Sequence, residues 1–197
     1  MSGGFTEQQK EEIRKKLINK GTELAGEIGF KKMTIAAITK EANVAVGSFY
    51  NFFDSKESFA VALINDMEEK SLADFMALLT KQGTIPAKEF LEWYRDFFRP
   101  ENNFLLRLKL DDWVWLKTHI TDATYFENNA DMSRITDIQQ YITGVRKDFN
   151  PAVVVNFVKS IYTIYQNRET FFEKEIQTNV DLIFDAIYHY VKEDNPE

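Results

Sequence analysis

The residues best suited to recognition chemistry fall in one window, KKMTIAAITKEANVAVGSFYNFFDSKE, residues 31–57. It reads as two short helices joined at Ala42-Asn43-Val44, where Asn43 tolerates the left-handed backbone that a tight corner requires. The second helix carries apolar anchors, Val44, Phe49 and Phe52, while Ala45, Val46, Gly47, Ser48, Tyr50 and Asn51 form its other side. Small side chains there let a helix sit closely in a major groove, and its N-terminal amides and dipole favour phosphate. Tyr50 and Lys56 can hold backbone phosphate on either side. Each residue also has a plainer use. Thr34 caps a helix with or without DNA, Tyr50 could pack on the first helix, Lys56 could be a solvated charge, and Gly47 could relieve helix packing.

No second constellation competes. Cysteine is absent, which removes thiol catalysis and disulfides. Asp111 and Asp112 with His119 invite a metal reading, but adjacent acids on a helix point in different directions and one histidine completes no ligand set. With no nucleophile–base pair legible, the chain is expected to be no enzyme, with no catalytic residue, cofactor or metal.

The formal net charge of −7 argues at first against a nucleic-acid partner. Its distribution softens that objection. Residues 1–57 hold nine Lys/Arg and eight Asp/Glu, close to +1, while the remaining 140 residues carry −8. An N-terminal part that approaches phosphate and a C-terminal part that does not would look like this. A chain of 197 residues, 44% hydrophobic and 28% charged, can bury a sizeable core and is not disordered. No apolar run is long enough to cross a bilayer, and Met1-Ser2-Gly3-Gly4 opens no signal peptide, so a cytoplasmic location is expected.

Helical spacing runs through the whole chain and predicts an all-α fold. Thr6 with Gln9 forms a capping box for a helix over 7–28, ending at Gly29. Thr34 caps a helix over 35–41, and a shorter one covers 45–51. Ser55 caps a long helix to about residue 80. Further helices are expected over 86–98, 103–118, 123–143, 151–167 and 171–192, with Asn150-Pro151 as cap and first residue of the second-to-last. No strand is expected. The last two helices are apolar on more than one side, from Val153, Val154, Val155, Phe157, Val158, Ile161, Tyr162, Ile164 and Tyr165 to Ile176, Val180, Leu182, Ile183, Phe184, Ile187, Tyr188 and Val191. Either they form a central core, or one face packs on the core and the other on a twin subunit, giving a four-helix interface over 152–167 and 171–192.

Thr34-Ile35 through Ala42, Val44 through Phe53 and Ser55-Lys56-Glu57 together resemble the tetracycline-repressor (TetR-type) family of transcriptional regulators. The resemblance covers about 50 N-terminal residues. It implies a three-helix helix-turn-helix DNA-binding domain over 1–54, a larger helical effector-binding and dimerisation domain over 55–197, and repression of a palindromic operator relieved by a small molecule. Carried over by position, Thr34, Tyr50 and Lys56 contact phosphate, and Ala45, Val46, Gly47 and Ser48 face bases or backbone, with Asn51 beside them. Where the family often has a basic or larger polar residue, this chain has Ala45, Val46 and Asn51. Few bidentate base contacts are therefore on offer, which shifts specificity toward thymine methyls and DNA shape.

Aromatic residues cluster from 93 to 126, and core packing is the plain explanation of each. The resemblance makes a pocket expected as well, with Trp93, Phe97, Phe104, Trp113, Tyr141 and Tyr162 as its candidate lining and a mostly apolar effector as its ligand. The alternative is a helix-turn-helix regulator controlled by a protein partner. Double-stranded DNA, a second copy of the chain and a small molecule are the expected partners, with no membrane.

Overall fold

The computed structural model describes residues 6–120 and 137–193, and its fold is predominantly helical. The chain divides into two compact units, residues 1–69 with 110–121, and residues 70–109 with 122–197.

The first unit opens with α1 (Glu7–Ile28). Its capping box is formed: the Gln9 amide donates to Thr6 Oγ1 (3.2 Å) and the Thr6 amide to Gln9 Oε1 (2.9 Å), satisfying two donors that a helix start leaves open. Leu17, Ile18, Gly21 and Ala25 form the buried seam of α1. Gly21 is a packing glycine that periodicity does not reveal, because a Cβ there would collide with the Phe59 ring. After Gly29, at φ +80°, the chain turns into α2 (Ile35–Glu41), whose cap Thr34 accepts the Ala37 amide at 3.2 Å. A corner with Asn43 at φ +52° leads to α3 (Val46–Phe49).

This third helix is shorter than the expected 45–51. Beyond Phe49 the amides of Asn51 and Phe52 bond three residues back, to Ser48 and Phe49 carbonyls, which tightens the chain out of α geometry. A single turn sums little dipole, so the attraction for phosphate expected of its N-terminus loses most of its basis. Next, α4 (Lys56–Gln82) begins behind a reciprocal cap, in which Ser55 Oγ accepts the Ser58 amide and Ser58 Oγ the Ser55 amide. Its first half belongs to the first unit, as does α6 (Leu110–His119), which buries Asp112, Trp113 and Leu116.

The second unit holds the rest of α4, α5 (Ala87–Phe97), α7 (Pro151–Gln166) and α8 (Ile176–Val191). Both α5 and α7 pack on α8 around Leu91, Phe98, Leu106, Ile161, Phe184 and Ile187. Asn150 caps α7 as expected, accepting the Ala152 amide at 3.0 Å.

Four expectations are corrected here. The helix over 103–118 is interrupted: residues 104–107 form a 3₁₀ turn, whose Leu106 and Arg107 carbonyls accept from the Arg168 guanidinium at 3.1 and 2.8 Å. The Arg168 guanidinium thus satisfies carbonyls that the end of the short turn leaves without an amide. The helix over 171–192 begins only at Ile176, after two 3₁₀ turns at 168–170 and 173–175 separated by an extended Phe171. Pro86 is the cap of α5 and not its first residue. Most of the helix expected over 123–143 lies outside the described residues, but its end does not: β2 (Ile142–Thr143) pairs in parallel with β1 (Ile85–Pro86), Ile85 opposite Ile142. Period-2 patterning needs several residues to register, and two residues a side leave no trace in a sequence.

Candidate nucleic-acid interface

What residues 34–56 present at the surface depends on what they bury. Phe49 is fully buried, and its ring meets Phe53, Phe59 and Tyr50 at centroid distances of 5.4, 5.2 and 5.6 Å. Phe53 and Phe59 close the group edge-to-face at 4.7 Å. Phe49 points inward, and Val46, Gly47 and Tyr50 stand at the surface around it. Val46 is 49% exposed and Tyr50 54%. Ala45, Gly47 and Asn51 are also exposed, Ser48 is half-buried, and Thr34 stands exposed at the start of α2. A Cβ on Gly47 would meet nothing within 4 Å, so this glycine is not there to admit a neighbouring helix. It keeps the outward side low.

The turn itself is held by local bonds. Thr39, buried in α2, donates its hydroxyl to the Ile35 carbonyl at 2.9 Å, and its own carbonyl accepts the Val44 amide at 2.9 Å across the corner. Ile38, Thr39 and Ala42 bury the inner side of α2. The segment is thus a corner held by local bonds, with an apolar back and a small-residue front.

Lys56 is placed differently from the rest. Its ammonium lies 4.6 Å from the centre of the Trp115 ring and 3.5 Å from the Lys31 carbonyl oxygen, half-buried, and burial pushes its pKa down. Trp115 in turn stacks on His119 (4.6 Å) and Phe30 (5.9 Å). The reader's own sequence holds no sign of this ring. Glu57 beside it is kept below the usual carboxylate range, first by a hydrogen bond at its own backbone amide and then by the Ser55 hydroxyl.

Within the second unit the expected effector-lining residues fall in more than one packing cluster. Trp113 belongs to the first unit. In the second unit Trp93 packs with Phe75, Leu79 and Ile85, whereas Phe97 and Tyr162 pack against the core around Phe98 and Phe184. Phe104 is buried, and Tyr141 is 40% exposed. Asn103, fully buried, donates to Tyr162 Oη at 3.3 Å and accepts the Leu105 amide at 3.1 Å. Among the described residues no cluster of three or more His, Cys, Asp or Glu could hold a metal ion, and no helix is long and apolar enough to cross a membrane.

Comparison with known proteins bears on the same segment. Residues 17–63 match the model of bacterial regulatory proteins of the tetR family. The transcriptional repressor DhaR of Mycobacterium sp. strain GP1 is 39% identical over 54 residues, 27% of this chain and 27% of DhaR. The transcriptional repressor NemR of Escherichia coli K12 is 40% identical over 53 residues, again 27% of each. The sequence match thus spans about a quarter of the length of these curated relatives. In fold the likeness is broader: reduced NemR aligns over 93% of this chain and 99% of its own with a TM-score of 0.57 at 15% identity. A TetR-family regulator from Marinobacter aquaeolei VT8 aligns over 96% of this chain and 100% of its own, TM-score 0.58, at 14% identity. Residues 17–63, folded as this corner, thus match the tetR family of bacterial regulatory proteins, and most of the chain shares the helical fold of these solved structures.

Proposed function

We propose that the chain is a homodimeric, effector-responsive repressor that reads a palindromic DNA operator with residues 34–56. The observation that carries this reading is the outward set Ala45, Val46, Gly47 and Tyr50 standing on a fully buried Phe49. Thr34, Ser48, Asn51 and Lys56 complete the contact set. Repression is supported by the transcriptional repressors DhaR and NemR, which are 39% and 40% identical to this chain over about a quarter of its length. DNA reading is assigned to residues 1–54, with effector binding and dimerisation in 55–197. Dimerisation through 152–167 and 171–192 is supported by apolar side chains left over after α7 and α8 have formed the core: Val154, Phe157, Val158, Ile183 and Tyr188 are only half-buried, and Leu182 is 61% exposed. The effector is assigned a mostly apolar character from the ring-rich second unit, where Trp93, Phe97, Phe104, Tyr141 and Tyr162 are the candidates.

The test is selection of duplexes from a random-sequence pool by the purified protein. The expected product is an inverted repeat whose half-site centres lie about 34–36 Å apart or a multiple of that. A pool without symmetry refutes the dimeric reader. No enrichment of any duplex, beside tight binding of another protein, would replace the small-molecule reading with regulation by a protein partner.

A further inference from the structure

We infer that Asp112 is a positioning residue for DNA reading, acting from α6 on the corner that aims α2 and α3. The carboxylate is 5% exposed, a costly place for a charge unless donors meet it. One does: the Lys31 amide donates to Asp112 Oδ1 at 2.9 Å. The approach is so close that a Cβ on Gly29 would collide with both carboxylate oxygens, so the glycine at φ +80° serves space as well as backbone conformation. Two further contacts tie the same corner to α6. Lys31 Nζ pairs with Asp111 Oδ2 at 3.0 Å, and the Phe30 ring stacks on Trp115 at 5.9 Å with 13° between planes.

Residues 29–33 lead straight into the Thr34 cap. Phe30 and Met33 are fully buried on either side of Lys31, and the Met33 amide donates to the Gly29 carbonyl at 3.1 Å. The corner is therefore clamped at its centre by Asp112 and at its flanks by buried rings and chain. Since α2 and α3 pack on one another and the Val44 amide bonds the Thr39 carbonyl across their corner, a rotation at 29–31 carries Thr34, Val46 and Tyr50 together. Asp112 touches no base or phosphate in this scheme. It sets the angle from which others do.

The inference rests on DNA reading by residues 34–56, and the experiment separates the two. The full-length protein is assayed against the duplex it enriches from a random pool and against a scrambled duplex of equal length. Asp112→Ala removes the acceptor of the part-buried Lys31 amide and is expected to weaken the selected duplex about tenfold. Binding to the scrambled duplex and the slope of log affinity against log salt should stay unchanged, because no phosphate contact is removed. Asp112→Asn retains an amide oxygen for the Lys31 donor and is expected to remain within about threefold of the parent. Parent-like binding by Asp112→Ala overturns the proposal. So does an equal loss on the scrambled duplex, which is the pattern of a smaller folded fraction, and so does an Asn variant as weak as the Ala variant. A parent protein that enriches no duplex fails the DNA-reading assignment instead.

Discussion

Tyr50 and Lys56 flank the small-residue front, and the contributions to DNA binding proposed for them differ in kind. Tyr50 is neutral and 54% exposed, and a phenol bonded to phosphate releases no counterion. Tyr50→Ala should therefore weaken all duplexes by a similar factor while the salt slope holds. Lys56 is charged, and if it leaves Trp115 for a phosphate, Lys56→Ala should lower the slope of log affinity against log salt by about 0.9 per protomer. An unchanged slope, measured by titration across a salt series, assigns Lys56 wholly to its place over Trp115. Glu57 supplies a test at the same scale that needs no DNA. Its folded pKa lies below the ordinary value, so it stabilises the fold above that value and the contribution disappears as pH falls through the folded pKa. Glu57→Gln is expected to melt below the parent at neutral pH and to match it once pH drops well below about 4, as melting curves at both pH values would record.

Helices here stop and start where caps dictate, but how closely they approach is a separate matter. Gly21 sits inside α1, where glycine costs about 1 kcal/mol relative to alanine. The cost is offset by packing, since the Phe59 ring occupies the space of its Cβ. Gly21→Ala should therefore destabilise the protein by about 1–3 kcal/mol despite its better helix propensity, as measured by denaturant unfolding. A stabilised variant would mean that α1 and α4 can separate without loss. Gly47 makes the contrast: its surroundings are open, so nothing in the packing requires a glycine there. The two residues look alike in a sequence, and only the neighbouring helix tells them apart.

At the scale of the molecule, the first unit joins residues 1–69 to α6, a helix from far along the chain. The unit thus includes a piece that no N-terminal motif contains, and Asp112 and Trp115 arrive with it. In the second unit, α7 and α8 have apolar side chains left over after the core is formed. Leu182 is 61% exposed on α8, outside the core cluster, so its substitution need not unfold the unit. Leu182→Glu should raise the dimer dissociation constant about tenfold or more, since a buried charge at an interface costs far more than a lost contact. Sedimentation at micromolar concentration decides it, and a parent that sediments as a monomer removes the interface assignment altogether.

What was readable from the chain alone was everything settled within a few residues. Thr6 and Gln9, Thr34, Asn150 and the Asn43 corner all stand where expected, because a cap or a left-handed turn is satisfied by amides two to four positions away. The inward anchor Phe49 and the exposed Val46 and Tyr50 also stand as their residue types led one to expect, since a large ring seeks the core and small or polar-tipped residues tolerate water. Tertiary structure alone decided the contacts made at long range. Asp112 meets Lys31 across 81 positions, Arg168 reaches the Leu106 carbonyl from 62 positions away, and β1 finds β2 with two residues a side. Such pairings follow no period and leave no local signature. They form because folded helices bring a donor to an acceptor that would otherwise be buried without one.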